Sequence, residues 1–149
     1  MAARNEESRT GGGGAELEFE TGALSPQEIE GIFNTLPVDI TFIGKDEDVK
    51  FFSKPGSRIF ARPRSVIGRK VQNCHPQKSV HIVNRLIEEL KNGKRDVARF
   101  WINVGGRLVY IRYFPVRGRD GAYLGTLEVT QDVTDVKKLE GEKRLLDEP

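Results

Sequence analysis

Apolar residues return along this chain with two different periods. In "LSPQEIEGIFNTL", Ile29, Ile32, Phe33 and Leu36 fall three or four apart, the spacing that gathers side chains on one face of a helix. Ser25 suits the N-cap, Pro26 the first helical position, and Glu28 follows Ser25 by three residues as in a capping box. Pro37 stops the helix, and the period changes to two. In "VDITFI", Val38, Ile40 and Phe42 take one side of a strand, and Asp39, Thr41 and Ile43 the other. The turn "GKDED" and the run "VKFFS" complete a β-hairpin over residues 38–53.

Residues 54–75 keep no period. Pro55, Gly56, Pro63 and Gly68 interrupt short apolar pieces at Ile59–Phe60 and Val66–Ile67, which predicts short helical turns wrapped over a core. The helical period returns in "PQKSVHIVNRLIEELKNG". Pro76 stands in its first turn, Ile82, Val83, Leu86, Ile87 and Leu90 share one face, and Asn92–Gly93 ends it. Three strand-like runs follow, "DVARFWINV", "RLVYIRYFPVRG" and "YLGTLEVTQDV". Gly105–Gly106 joins the first two as a two-residue hairpin turn, and "GRDGA" joins the second pair. In the tail, Val136, Leu139 and Leu146 stand near heptad spacing, with Lys143 interrupting the seam and Gly141 weakening the helix. Helix, two strands, irregular turns, a long helix, three strands and a helix predict an α+β domain. Its core is a five-stranded antiparallel sheet covered on one face by helices.

Composition changes this picture little. Of 149 residues 37% are hydrophobic and 31% charged, which supports one globular core. A net charge of +2 from 24 basic and 22 acidic side chains gives no footing for bulk binding of nucleic acid or an anionic membrane. One cysteine excludes an intramolecular disulfide and suits a reducing compartment, so the expected location is cytoplasmic. Residues 1–23 are polar and include Gly11 to Gly14; they read as a flexible leader. Residues 24–134 form the domain and 135–149 an exit helix. With no kinase, cyclase or DNA-binding domain after it, the domain is expected to stand alone.

This chain resembles a PAS domain over roughly residues 25–134. The resemblance is carried by "LPVDITFI", "IGRKVQNCHPQKSVHIV", "RDVARFWI" and "GTLEVTQDVT", and it is nearest to the PAS module that follows a hemerythrin-like domain in bacterial and archaeal proteins. It implies the sheet order 2-1-5-4-3 and a pocket between helices and sheet. It also implies a sensory or dimerisation role in signal transduction without catalysis, with haem, flavin, a metabolite or no ligand bound. The fold alone does not fix which.

Candidate chemistry centres on "VQNCHPQKSVH", which holds the single cysteine and both histidines. Asn73–Cys74 superficially resembles the motif of flavin-binding light sensors, but "HPQ" follows it, and the glutamine expected on the last strand is Thr130, with Gln131 one residue off and so on the opposite face. Zinc would draw on Cys74, His75 and His81 at a spacing that matches no common zinc motif. Haem needs one axial histidine, and His75 or His81 stands in the right region, although helical geometry turns His81 toward solvent. The plainest reading is structural: Asn73 or His75 caps a helix and Cys74 packs as a small buried hydrophobe. No base or oxyanion group accompanies Cys74, so a nucleophilic enzyme is not expected. Arg112, flanked on its own strand face by Tyr110 and Phe114, needs water, an acid such as Glu128, or an anionic ligand. Arg99 and Trp101 share that surface. The expected ligand-pocket residues are therefore Cys74, His75, Arg99, Trp101, Tyr110 and Arg112, and the expected partners are a second copy in a homodimer and a signalling protein. A haem- or metal-dependent redox or gas sensor built on His75, with Cys74 or His81, is the alternative.

Overall fold

The computed structural model describes residues 14–56 and 58–148. Two short strands, β1 (Leu17–Phe19) and β2 (Gly22–Leu24), pair antiparallel ahead of helix α1 (Pro26–Thr35). Regular structure thus begins within the segment expected to be a flexible leader, where Leu17 and Phe19 alternate with Glu18 and Glu20 and the chain turns at Glu20–Thr21. Residues 1–13 of that segment lie outside the described residues. Helix α1 begins with the anticipated capping box. The Ser25 hydroxyl accepts the Glu28 N–H at 3.1 Å, and the Glu28 carboxylate accepts the Ser25 N–H at 2.9 Å.

Strands β3 (Asp39–Gly44) and β4 (Val49–Phe52) form the first hairpin. Helix α2 spans Val80–Lys91, and β5 (Ala98–Val104), β6 (Arg107–Arg117) and β7 (Tyr123–Asp132) follow it. All five pair antiparallel in the order β4-β3-β7-β6-β5, which is 2-1-5-4-3 counted from β3. Gly105 and Gly106, at φ 56° and 79°, make the β5–β6 turn that only left-handed residues close tightly. The "DVT" string ends the sheet as a clasp. Asp132 accepts both the N–H and the hydroxyl of Thr134, whose own oxygen accepts the Leu108 N–H at 2.9 Å.

Alternation gives the sheet two unlike faces. Toward α2 point Ile43, Thr41 and Asp39 of β3, Thr126, Glu128 and Thr130 of β7, Val109, Ile111 and Tyr113 of β6, and Ala98 and Phe100 of β5. The irregular segment crosses this inner face through 3₁₀ turns at Arg64–Val66 and Val71–Cys74, anchored by buried Val66 and Val71. Ile43, Val71 and Ile87 form the buried cluster. Burying Leu90 of α2 completely contributes about 1.5–3 kcal/mol. The outer face carries Phe42, Tyr110, Arg112, Phe114, Leu127 and Gln131, and α1 approaches from that side, with Phe33 and Phe51 ring centroids 5.5 Å apart.

The tail differs from expectation. Instead of an exit helix, 3₁₀ turns occur at Val136–Lys138 and Leu145–Asp147. Gly141 stands between them at φ 63°, and Leu146 is 94% exposed. A helix here would bury no apolar face to offset its nucleation cost.

Gly125, on the central strand opposite Gly44, admits no side chain. A Cβ there would collide with the Ile43 carbonyl oxygen and come within 2.7 Å of the Phe42 ring. Gly125→Ala is expected to lower unfolding free energy by about 2–4 kcal/mol, measured by chemical denaturation; a loss below a few tenths would contradict this packing.

Candidate functional site

Between α2 and the inner face lies a cavity of ≈ 320 Å³. The apolar stripe of α2, Ile82, Val83, Leu86, Ile87 and Leu90, forms one wall; Ile43, Phe100, Tyr113 and Thr126 form the sheet wall, and His75 and Ser79 lie before the helix. Helical period on one side and strand period on the other explain why these residues meet. Phe100 and Tyr113 stack at 5.8 Å across β5 and β6, stiffening the floor. At the far end, Arg117 Nη2 donates to the carbonyl oxygens of Leu90 and Lys91 at 2.9 and 3.1 Å. It thereby satisfies terminal carbonyls that α2 leaves unpaired and complements the helix dipole.

His75 is half-buried. Desolvation pushes its imidazole below its ordinary value, opposed by Glu128 and reinforced by Arg62. Tyr113 is partly buried, and desolvation together with the neighbouring Glu128 carboxylate raises its phenol far above the usual range. Both rings therefore feel the same ion pair, Arg62 Nη2 to Glu128 Oε1 at 3.1 Å, which identifies the polar end of the cavity. Beyond it Asp39 accepts the Ile59 N–H at 2.7 Å, and Arg58 stacks 5.4 Å from the Phe52 ring centre. The sequence pointed to Glu128 only as an acid for Arg112 and left Arg62 and Tyr113 unremarked, because Arg62 lies in a segment without period and its partner is 66 positions away.

The expected pocket residues separate. Of the six, His75 alone lines the cavity. Cys74 is half-buried rather than packed in the core, its Sγ 3.8 Å from the Lys70 carbonyl oxygen. Arg99, Trp101, Tyr110 and Arg112 do stand together, with Arg99 opposite Arg112 and Trp101 opposite Tyr110. Their strand positions, however, put them on the outer face. Arg112 consequently does not meet Glu128, which faces inward. Its guanidinium lies 4.7 Å from the Tyr110 ring centre, and Nη2 donates to Gln131 at 3.2 Å. His81 is exposed on α2. Neither Asn73 nor His75 caps the start of α2, whose N-cap is Ser79; His75 instead follows the last residue of the Val71–Cys74 turn. Gln77–Ser79 form a 3₁₀ turn leading into α2, and the Ser79 hydroxyl donates to the Pro76 carbonyl at 3.1 Å.

Cofactor chemistry is limited by this arrangement. Among the described residues no three His, Cys, Asp or Glu side chains gather as a metal set. At ≈ 320 Å³ the cavity stands at the lower end of the range of small-molecule sites. At the position where a flavin sensor places glutamine, buried Thr130 faces inward and Gln131 outward.

An imidazole that folding keeps neutral must be charged in acid. Stability linked to His75 is therefore complete above the ordinary histidine pKa of about 6.5 and declines as pH falls below it toward the lower folded value. Melting temperatures between pH 7.5 and 5 are expected to fall less steeply in His75→Gln than in the parent; parallel slopes would exclude His75 as the cause.

Comparison with known proteins agrees with this architecture. The family model for the PAS domain matches residues 29–134. The C-terminal domain of a Streptococcus mutans protein superposes with a TM-score of 0.80 at 34% identity, covering 85% of this chain and 98% of that one. A PAS domain from Colwellia psychrerythraea superposes with a TM-score of 0.53 at 15% identity, over 73% of this chain and 97% of the other. The histidine kinase ThkA, in its complex with the response regulator TrrA, gives 0.52 at 23% identity over 72% of this chain and 32% of that chain. A search of curated proteins finds no match. No helix among the described residues is long and apolar enough to cross a membrane. By its family match and its sheet order, this chain belongs to the PAS domain family.

Proposed function

We infer that this PAS domain is a sensory or regulatory unit of cytoplasmic signal transduction, non-catalytic, whose input is a small molecule held between α2 and the sheet. The observation that carries this reading is the cavity itself: an apolar space of ≈ 320 Å³ with a few polar side chains, His75, Ser79, Tyr113 and Thr126, in its lining, the usual make-up of a small-molecule site. A molecule that binds better to one placement of α2 than another shifts the population between them. The ThkA complex with a response regulator supports a signalling protein as the downstream partner.

The outer face supports self-association. Trp101 is 62% exposed, its ring 6.4 Å from that of Tyr110, and Arg112 lies against the same tyrosine. Tryptophan, tyrosine and arginine are the residues that dominate interface energetics, and a second copy of this face is the partner expected here.

Two outcomes are expected. Leu86→Trp fills the cavity; it should abolish binding of an environment-sensitive hydrophobic dye seen in the parent, while circular dichroism stays unchanged. Equal dye binding by both proteins would remove the cavity reading. Light scattering after size exclusion should show a dimer for the parent and a monomer for Trp101→Glu. A monomeric parent at hundred-micromolar concentration would remove the self-association reading.

A further inference from the structure

We propose that the cavity selects a neutral, largely apolar molecule of roughly ten non-hydrogen atoms carrying one hydroxyl group, which sits between His75 and Tyr113. This rests on the reading of the cavity as a ligand site and adds the chemistry of what fills it.

The polar groups around the cavity are not equivalent. The Ser79 hydroxyl is committed to the Pro76 carbonyl, and Thr126 Oγ1 lies 2.6 Å from the Tyr123 hydroxyl. His75 has no side-chain hydrogen bond to another described residue. A neutral imidazole offers one N–H donor and one acceptor nitrogen, and here both are uncommitted. Tyr113 faces Glu128, and a phenol whose proton is turned toward that carboxylate keeps lone pairs for an incoming donor. A hydroxyl matches this pair because it donates and accepts at once; a hydrocarbon seated there would displace water from both groups without replacing its hydrogen bonds.

Charge narrows the class further. Glu128 stands at this end of the cavity and is already neutralised by Arg62 at 3.1 Å. An incoming carboxylate would face Glu128 and compete with it for the Arg62 guanidinium. An incoming ammonium would compete with Arg62 for a carboxylate already paired. Either ion loses its hydration in a space whose remaining walls are aliphatic or aromatic. Asp39 and Glu128 stand among Arg58 and Arg62 here, two charges of each sign, and a neutral ligand leaves that balance undisturbed.

The test uses two matched sets, one built on n-hexane and one on ethylbenzene, each comprising hydrocarbon, primary alcohol, carboxylate and primary amine. Binding is measured calorimetrically on the full chain, with the parent, Tyr113→Phe and His75→Leu. The alcohol is expected to bind about tenfold more tightly than the hydrocarbon or either ion, the worth of one good hydrogen bond. Tyr113→Phe should bring the alcohol down to the hydrocarbon's affinity and leave hydrocarbon binding unchanged. His75→Leu gives the same readout should Tyr113→Phe not fold. Hydrocarbon and alcohol binding equally, or an ion binding most tightly, would overturn the hydroxyl assignment while leaving the cavity a ligand site. Preference for the alcohol surviving in both variants would overturn its placement between His75 and Tyr113. No binding by any member of either set would overturn the cavity reading itself.

Discussion

Strand β7 hydrogen-bonds to β3 along one edge and to β6 along the other. A slip of one residue in it would reverse the facing of its side chains against both neighbours at once. That double pairing decides which chemistry reaches the interior. It sends Thr126, Glu128 and Thr130 toward α2 and Leu127, Val129 and Gln131 to the other side. Gly125 lets the strand approach β3 closely, and the Asp132–Thr134 clasp ties its end to the start of β6. Cavity floor, ion pair and aromatic outer surface all follow from that one register.

The interior this creates is unusually polar along β3 and β7, where Asp39, Thr41, Glu128 and Thr130 are buried. Buried carboxylates are tolerated only when paired or hydrogen-bonded. The irregular segment after β4 meets that need, bringing the Ile59 N–H to Asp39 and the Arg62 guanidinium to Glu128. The segment that shows least pattern in the sequence is therefore the one that neutralises the sheet's charge. Apolar contacts dominate at the α2 end of the same face, where the cavity lies.

The sequence expressed these features unequally. The stripe Ile82, Val83, Leu86, Ile87 and Leu90 could be read directly, and all five line the cavity, because helical facing depends on spacing within one element. The capping box at Ser25 and the turn at Gly105–Gly106 were equally plain, being local chemistry. Facing across the sheet was legible only as relative alternation. Arg99, Trp101, Tyr110 and Arg112 could be grouped on one surface, but which surface faced α2 depended on pairing between distant strands, and they belong to the outer one. The Arg62–Glu128 contact joins residues 66 apart and leaves no periodic trace. The tail showed a heptad-like pattern that the domain does not use as a helix, since nothing among the described residues covers Leu139, Leu145 and Leu146.

Arg117 gives α2 two unlike ends. The last carbonyls of the helix are held by its guanidinium, which also donates to Gly121 O at 3.3 Å across the β6–β7 turn, and Leu90 beside them is fully buried. The first turn has no such anchor: it is a short 3₁₀ stretch, and no side chain caps it. A rod fixed at one end and loosely seated at the other swings about the fixed end. The fixed end lies beside Leu90, and the end that begins without a side-chain cap lies beside His75, so the wall of the cavity is held unequally along its length.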